Sequence, residues 1–185
     1  DFLLTLDMAL LNILHFPDNR LRQKGEDISI FDDNLKKISG NMLETMYASK
    51  GIGLAAVQVN LPIRLIVIDI SESRDKPLFL VNPVIVDKKD KITFEEGCLS
   101  VPGFYEQVER YNNISFTYKN LDGESQNGTA QGLLAVCIQH EIDHLDGKLF
   151  VDYISNIKRD RIAKKIKKAQ STGSVPTRKD VPYNI

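Results

Sequence analysis

The run His140-Glu141-Ile142-Asp143-His144 restricts the fold more than any other segment of the chain. On a helix its two histidines stand one turn apart on the same face, so both imidazoles can reach a single metal ion. Glu141 then points aside, where it can serve a water rather than the ion. The chain holds three histidines, the other being His15, so chance pairing at this spacing is improbable. Two imidazoles do not complete a metal site, and a fold that uses the run must bring a third ligand to this helix.

At 185 residues the chain fits one domain, large enough to bury a core without disulfides. The apolar content of 42% and charged content of 26% are those of an ordinary globular protein, and a formal net charge of −1 argues against nucleic acid as the main ligand. Cys98 and Cys137 are too few for a disulfide framework and suit a reducing cytoplasm. The longest apolar stretch, residues 2–16, is broken by Asp7 and Asn12 and has no basic residue before it. It reads as neither signal peptide nor membrane anchor. Met8-Ala9 reads as a natural start, which makes residues 1–7 an extension. Residues 171–185, with glycine, serines and two prolines, read as a flexible tail.

Leu35, Ile38, Met42 and Met46 recur at helical spacing and predict an amphipathic helix over 33–49, ended by Gly51 and Gly53. The Ile- and Val-rich segment 64–70 predicts a buried strand, and further short strands are expected at 78–81, 84–87, 92–94, 105–110 and 114–119. Asp122-Gly123 marks a hairpin turn. The histidines belong to a helix over 131–145, stopped near Gly147. Ser155 caps a last helix whose inner face is Ile157, Ile162, Ile166 and Ala169. One early helix, a run of short strands and two late helices predict an α+β fold: small antiparallel sheets around the motif helix, with a C-terminal helix.

A metalloprotease is the first enzyme the histidine pair brings to mind, but its usual third ligands are missing. No glutamate follows Glu141, and Phe150 stands where an extended motif needs its third histidine. Asp152 or Asp160 remains a possible substitute. The cysteines are stronger ligands for Zn(II) or Fe(II). Cys137 shares the helix, but it is seven residues from His144, about 10.5 Å along the axis, and it sits among Leu133, Leu134, Val136 and Ile138 like a small buried hydrophobe. Cys98 follows Gly97 at the end of an expected strand, where a bend can turn its thiolate and the next backbone N–H, that of Leu99, toward one point. Cys98 is therefore the preferred third ligand.

Gly51-Ile52-Gly53-Leu54-Ala55-Ala56 formally matches the dinucleotide pattern G-x-G-x-x-A, yet a helix precedes it and a strand follows, the reverse of what that site needs. The glycines can instead permit close backbone approach to a ligand. Gln58 beside them offers an amide donor for an oxyanion, or is simply a surface glutamine after a tight turn.

Gly51–Gln58 (GIGLAAVQ), Glu96–Ser100 (EGCLS) and Gln139–Gly147 (QHEIDHLDG) together resemble, in order, the three signatures of peptide deformylase, the enzyme family that removes the formyl group from new bacterial polypeptides. The resemblance implies one divalent metal ion on Cys98, His140 and His144, Fe(II) in the cell, with Zn(II), Ni(II) or Co(II) possible in a purified sample. It implies that Glu141 is the general acid and base, with Gln58 and the Leu99 N–H stabilising the oxyanion. Ile52, Gly53, Leu133, Val136 and Cys137 would receive the methionine side chain of formyl-Met nascent peptides. Tyr105 aligns where many members carry an arginine, a departure that leaves the substrate-backbone contacts there unassigned, with Arg110 one candidate to contact the peptide.

Lys158, Arg159, Arg161, Lys164, Lys165, Lys167 and Lys168 crowd the last helix around a single acid, Asp160. That pattern is a solvated outer face, or a surface for docking on ribosomal RNA.

Overall fold

In the computed structural model, which describes residues 9–174, the Asp32 carboxylate accepts a hydrogen bond from Leu35 N at 2.9 Å and starts helix α1, Asp33–Ala48. Leu35, Met42 and Met46 are buried on its inner face, as their spacing predicts. Gly51 N bonds back to Met46 O and ends the turn. The chain then enters a five-stranded antiparallel sheet ordered β1 (Gly53–Ala55), β2 (Leu65–Ile68), β3 (Leu78–Glu96), β4 (Glu106–Lys119) and β5 (Ser125–Gln131).

The α+β class is as expected, but three expected short strands fuse into the 19 residues of β3, and the strands form one sheet. Breaks in register between Val81 and Val84 and between Ile85 and Asp87 bend β3 without ending it. Pro83, which has no N–H to give, sits at the first break beside Asn82 at φ +50°. The hairpin turn expected at Asp122-Gly123 joins β4 to β5, a strand over Ser125–Gln131 that was not itself expected. Its sequence is polar and carries Gly128, whose missing side chain makes room for the Phe116 ring on β4.

Gln131 closes β5, and Gly132 at φ +64° turns the chain, so the motif helix α2 begins at Leu133 and runs to Leu145. Gly147 at φ +73° ends the turn beyond it; a Cβ there would lie 2.5 Å from Arg22 O. α2 packs across β1 and β4, sharing a core with Ile66, Ile68, Ile114 and Phe116. A 3-10 turn, Phe150–Tyr153, leads to α3, Asn156–Ser171, capped by Ser155. Ile162 and Ile166 bury against Phe16, Leu21, Val101 and Phe150. Ile157 does not join them; it is 74% exposed, because the first turn of α3 overhangs the core. No helix among the described residues is long and apolar enough to cross a membrane. The extension assigned to residues 1–7 and the tail beyond Ser174 lie outside the described residues.

Candidate metal centre

β3 ends at Glu96, and the Gly97 bend that follows aims Cys98 at the buried face of α2. Cys98 Sγ lies 3.3 Å from His144 Nε2, and the two Nε2 atoms lie 3.2 Å apart. A tetrahedral ion with ordinary bonds to nitrogen and sulfur spaces its ligand atoms about 3.3–3.6 Å apart. The two measured edges of the triangle, 3.2 and 3.3 Å, lie at or just below the short end of that range, and all three donor atoms lie within 4.8 Å of one another. Each residue is at most 2% exposed. Two imidazoles and a thiolate, buried and converging, fit a borderline-soft divalent ion. Of the described residues, these three alone make such a group.

The alternatives for the third ligand lie elsewhere. Asp152 is bound by Arg22 at 2.6 Å and by Leu149 N at 3.0 Å. Asp160 is exposed on α3. Phe150 packs against His140, ring centres 6.3 Å apart. Cys137 faces β1, where a Cβ on Gly53 would come within 2.9 Å of its Sγ.

The His140 ring is fixed from behind. Its Nδ1 donates to Glu96 Oε1 at 2.7 Å, leaving Nε2 to face the ligand cluster. Arg110 grips the same carboxylate through Nε and Nη2 at 2.7 and 2.9 Å, and reaches Asp143 Oδ2 through Nη1 at 2.6 Å. Burial alone would raise the Glu96 carboxyl, but Arg110 and His140 outweigh it and hold it down at about 2. Arg110 therefore braces the site, and with its side chain 5% exposed and engaged by Glu96 and Asp143 it is a poor candidate to meet a peptide. Tyr105 is not a surface substitute for an arginine either, since its ring lies over Gly97, 2.5 Å from where a Cβ would stand.

Glu141 sits beside the triad, buried, with Oε2 lacking any hydrogen-bond partner. Burial pushes its carboxyl up to about 7, with nearby His140 opposing. Burial opposes a proton on His140 too, but the Cys98 and Glu96 contacts prevail and raise it to about 10. Burial and that neighbouring ring push His144 well down. Gln58 is buried and locked: Oε1 accepts from Ala55 N at 2.8 Å, while Nε2 donates to Ser100 Oγ at 3.1 Å and points at Cys98 Sγ at 3.6 Å. Its amide donor thus faces the cluster, and Leu99 follows Cys98 with Gly51 against its side chain. The segment 14–16 holds Gln58 and Ser100 through their backbones, Leu14 N donating to Gln58 O and Phe16 N to Ser100 O. Ile52, Val136 and Cys137 are buried together and Leu133 is half-buried beside them. Gly53 brings β1 against Glu141.

Sequence reasoning missed the bracing residues Glu96, Arg110 and Asp143. A signal existed: alternation along β3 puts Glu96 on the face of Ile92 and Phe94, and alternation along β4 puts Arg110 on that of Val108. Gln139 was also passed over. Its side chain pairs with both N and O of Tyr111 at 3.0 and 2.7 Å, continuing the sheet edge into α2.

The sequence profile of the family Polypeptide deformylase matches residues 10–160. The chain belongs to that family. Among its relatives, a peptide deformylase of Nitrosococcus oceani is 55% identical over 163 residues, covering 88% of this chain and 98% of the relative. One from Teredinibacter turnerae is 58% identical, with 87% and 96% covered. The crystal structure of a peptide deformylase from Legionella pneumophila superposes with a TM-score of 0.85 at 42% identity, over 89% of this chain and 98% of that one. The Ehrlichia chaffeensis enzyme in complex with actinonin also gives 0.85, at 40% identity, over 88% and 99%. The protein is accordingly an enzyme of the deformylase class, and the cluster on α2 lies where all three sequence signatures meet.

Proposed function

We propose that this deformylase is a metal-dependent amidase that hydrolyses the terminal formamide of formyl-methionyl nascent polypeptides and releases formate. The observation that carries the reading is the buried Cys98–His140–His144 triangle beside Glu141, whose buried Oε2 has no hydrogen-bond partner. A divalent ion held there would supply Lewis acidity and acidify a water. Glu141, with a carboxyl near neutrality, takes the water's proton and returns it to the departing amine nitrogen. Gln58 Nε2 and the Leu99 N–H donate to the formyl oxygen as charge builds on it. Ile52, Gly53, Leu133, Val136 and Cys137 accept the methionine side chain.

The thiolate makes the ligand set softer than an all-nitrogen one, which suits Fe(II) in the cell and also admits Zn(II), Ni(II) or Co(II). The enzyme works in the bacterial cytoplasm, a reading supported by two free cysteines and by bacterial relatives. The basic face of α3 docks on ribosomal RNA, which is supported by the exposure of Arg161, Lys164, Lys167 and Lys168. The test of the reaction is formate release from a formyl-Met peptide by metal-loaded enzyme, with Cys98→Ala and Glu141→Ala beside it. Formate from wild type alone is expected. No formate from loaded wild type ends the proposal, and an active Cys98→Ala enzyme removes the ligand assignment.

A further inference from the structure

Tyr153 closes the 3-10 turn between α2 and α3, and its side chain meets the bracing network of the site from outside. Its hydroxyl donates to Asp143 Oδ2 at 2.8 Å, the oxygen that also accepts from Arg110 Nη1. The Arg110 guanidinium carbon lies 4.8 Å from the centre of the Tyr153 ring. Arg110 is thus held on its face by the phenol ring and at one nitrogen by a carboxylate that the phenol shares. Its two remaining contacts fix both oxygens of Glu96, and Glu96 Oε1 fixes His140 Nδ1.

We propose that Tyr153 is a positioning residue for the metal centre, acting through Arg110 and Glu96 to set the tilt of the His140 ring. The inference rests on the metal reading above. A purely structural role fits poorly. Tyr153 is 49% exposed and belongs to none of the three hydrophobic clusters, so its ring adds little to the core. What it covers is the guanidinium, at the floor of a cleft lined by Ile85, Lys88, Tyr111 and Ile142. With the ring gone, water enters that cleft and competes for the Arg110 N–H groups, and a buried ion pair weakens once its partners can be solvated separately. Partial burial, with Asp143 adding to it, keeps the hydroxyl protonated up to about pH 12, so it remains a donor throughout the working range.

The experiment uses Co(II)-loaded enzyme, whose visible absorption reports ligand geometry, and follows loss of the ion to excess chelator. Direct outer partners of metal ligands change affinity about 10- to 100-fold, and Tyr153 stands two links further out, so Tyr153→Leu should release cobalt about three- to tenfold faster than wild type. Its cobalt bands should shift as well. Tyr153→Phe keeps the ring and loses only the hydroxyl, and should fall between the two. Met42→Ala, a cavity under α1 in a cluster that contains none of Tyr153, Arg110 and Glu96, controls for general loosening: it should lower Tm while releasing cobalt at the wild-type rate. Release and spectra equal to wild type in both Tyr153 variants overturn the proposal, and if Tyr153→Leu does not fold, Tyr153→Phe decides alone. Faster release in Met42→Ala equal to that in the Tyr153 variants overturns it too. Failure of wild type itself to take up cobalt would instead remove the metal reading.

Discussion

Gly53 offers the sharpest perturbation of the site, because the nearest atoms one methyl group there would meet belong to Glu141, the proposed acid and base, and to Cys137, not to Cys98, His140 or His144. A Cβ on residue 53 would stand 2.5 Å from Glu141 Oε1 and 2.9 Å from Cys137 Sγ. Ordinary contact begins near 3.4 Å, so something must yield by 3.4 − 2.5 = 0.9 Å. β1 cannot retreat freely, since Gly53 is paired with Ile68 in the sheet. Glu141 is 1% exposed, with little room behind it. Most of the shift falls on the carboxylate, and a misplacement of about 1 Å in a reacting group costs up to about a hundredfold in rate. Gly53→Ala should therefore lower kcat/KM for a formyl-Met peptide by about 10- to 100-fold. Overpacking should cost about 1–3 kcal/mol, a drop in Tm of a few degrees. Metal content should remain at wild-type stoichiometry. The assay is steady-state formate release with metal analysis and a thermal scan on the same sample. A variant with wild-type kcat/KM would refute the claim that β1 positions Glu141, and a variant that loses the metal would show the damage to be less local than argued.

Two shorter predictions concern charge. Arg110→Met leaves the Glu96 carboxylate buried without its main partner, so stability at pH 7 should fall by about 3–5 kcal/mol. Because Glu96 is held near 2 in the fold against an ordinary 4.5, its contribution is complete above about pH 4.5 and fades as the pH drops toward 2. The gap between wild type and variant in urea titrations should close over that interval, and a gap independent of pH would contradict the network. Reversing Lys164, Lys165, Lys167 and Lys168 to glutamate should abolish salt-sensitive binding to ribosomes and leave formate release from a short peptide unchanged; undiminished binding would mean that α3 is only a solvated face.

The helices were legible because their periodicity and caps are local: Asp32 and Ser155 cap α1 and α3 as their types predict, and α2 begins only two residues late. The sheet was less so. β3 survives a proline and two register breaks through its pairing with β4, a long-range fact that no window on 78–96 contains. β5 forms from polar residues because Phe116 finds the gap at Gly128, so its pairing is decided on the neighbouring strand. At the site, the grouping of Cys98 with His140 and His144 could be reasoned out by counting missing donors, and the fold brings the three together. Arg110 could not, because a basic residue on a strand reads as exposed until Glu96 and Asp143 are known to face it. Ile157 failed for a related reason: helical spacing fixes a face but not where the core beneath it stops.

Uptake of the ion should be coupled to proton release, and the geometry gives the minimum number. A ligating imidazole must be neutral, with one nitrogen on the ion. His140 Nδ1 is committed to Glu96 at 2.7 Å, so its Nε2 is the ligand atom and must carry no proton once the ion is bound. Without an ion, burial disfavours the charge on that ring, but the Cys98 and Glu96 contacts outweigh it and hold His140 up at about 10. Those contacts favour a proton on the ring, and ligation through Nε2 requires that proton to leave. His144, pushed well down by burial and by His140, has none to give. Calorimetric titration of the chelated enzyme with Zn(II), repeated at pH 8 in buffers of different ionisation enthalpy, should show at least one proton released per ion. Glu96→Gln removes the charged partner that fixes and polarises the His140 ring, so the variant should bind the ion more weakly, by about tenfold or more. Buffer-independent heats in wild type would mean that His140 is neutral before the ion arrives, and that the Glu96–Arg110 brace sets the ring's orientation without setting its charge.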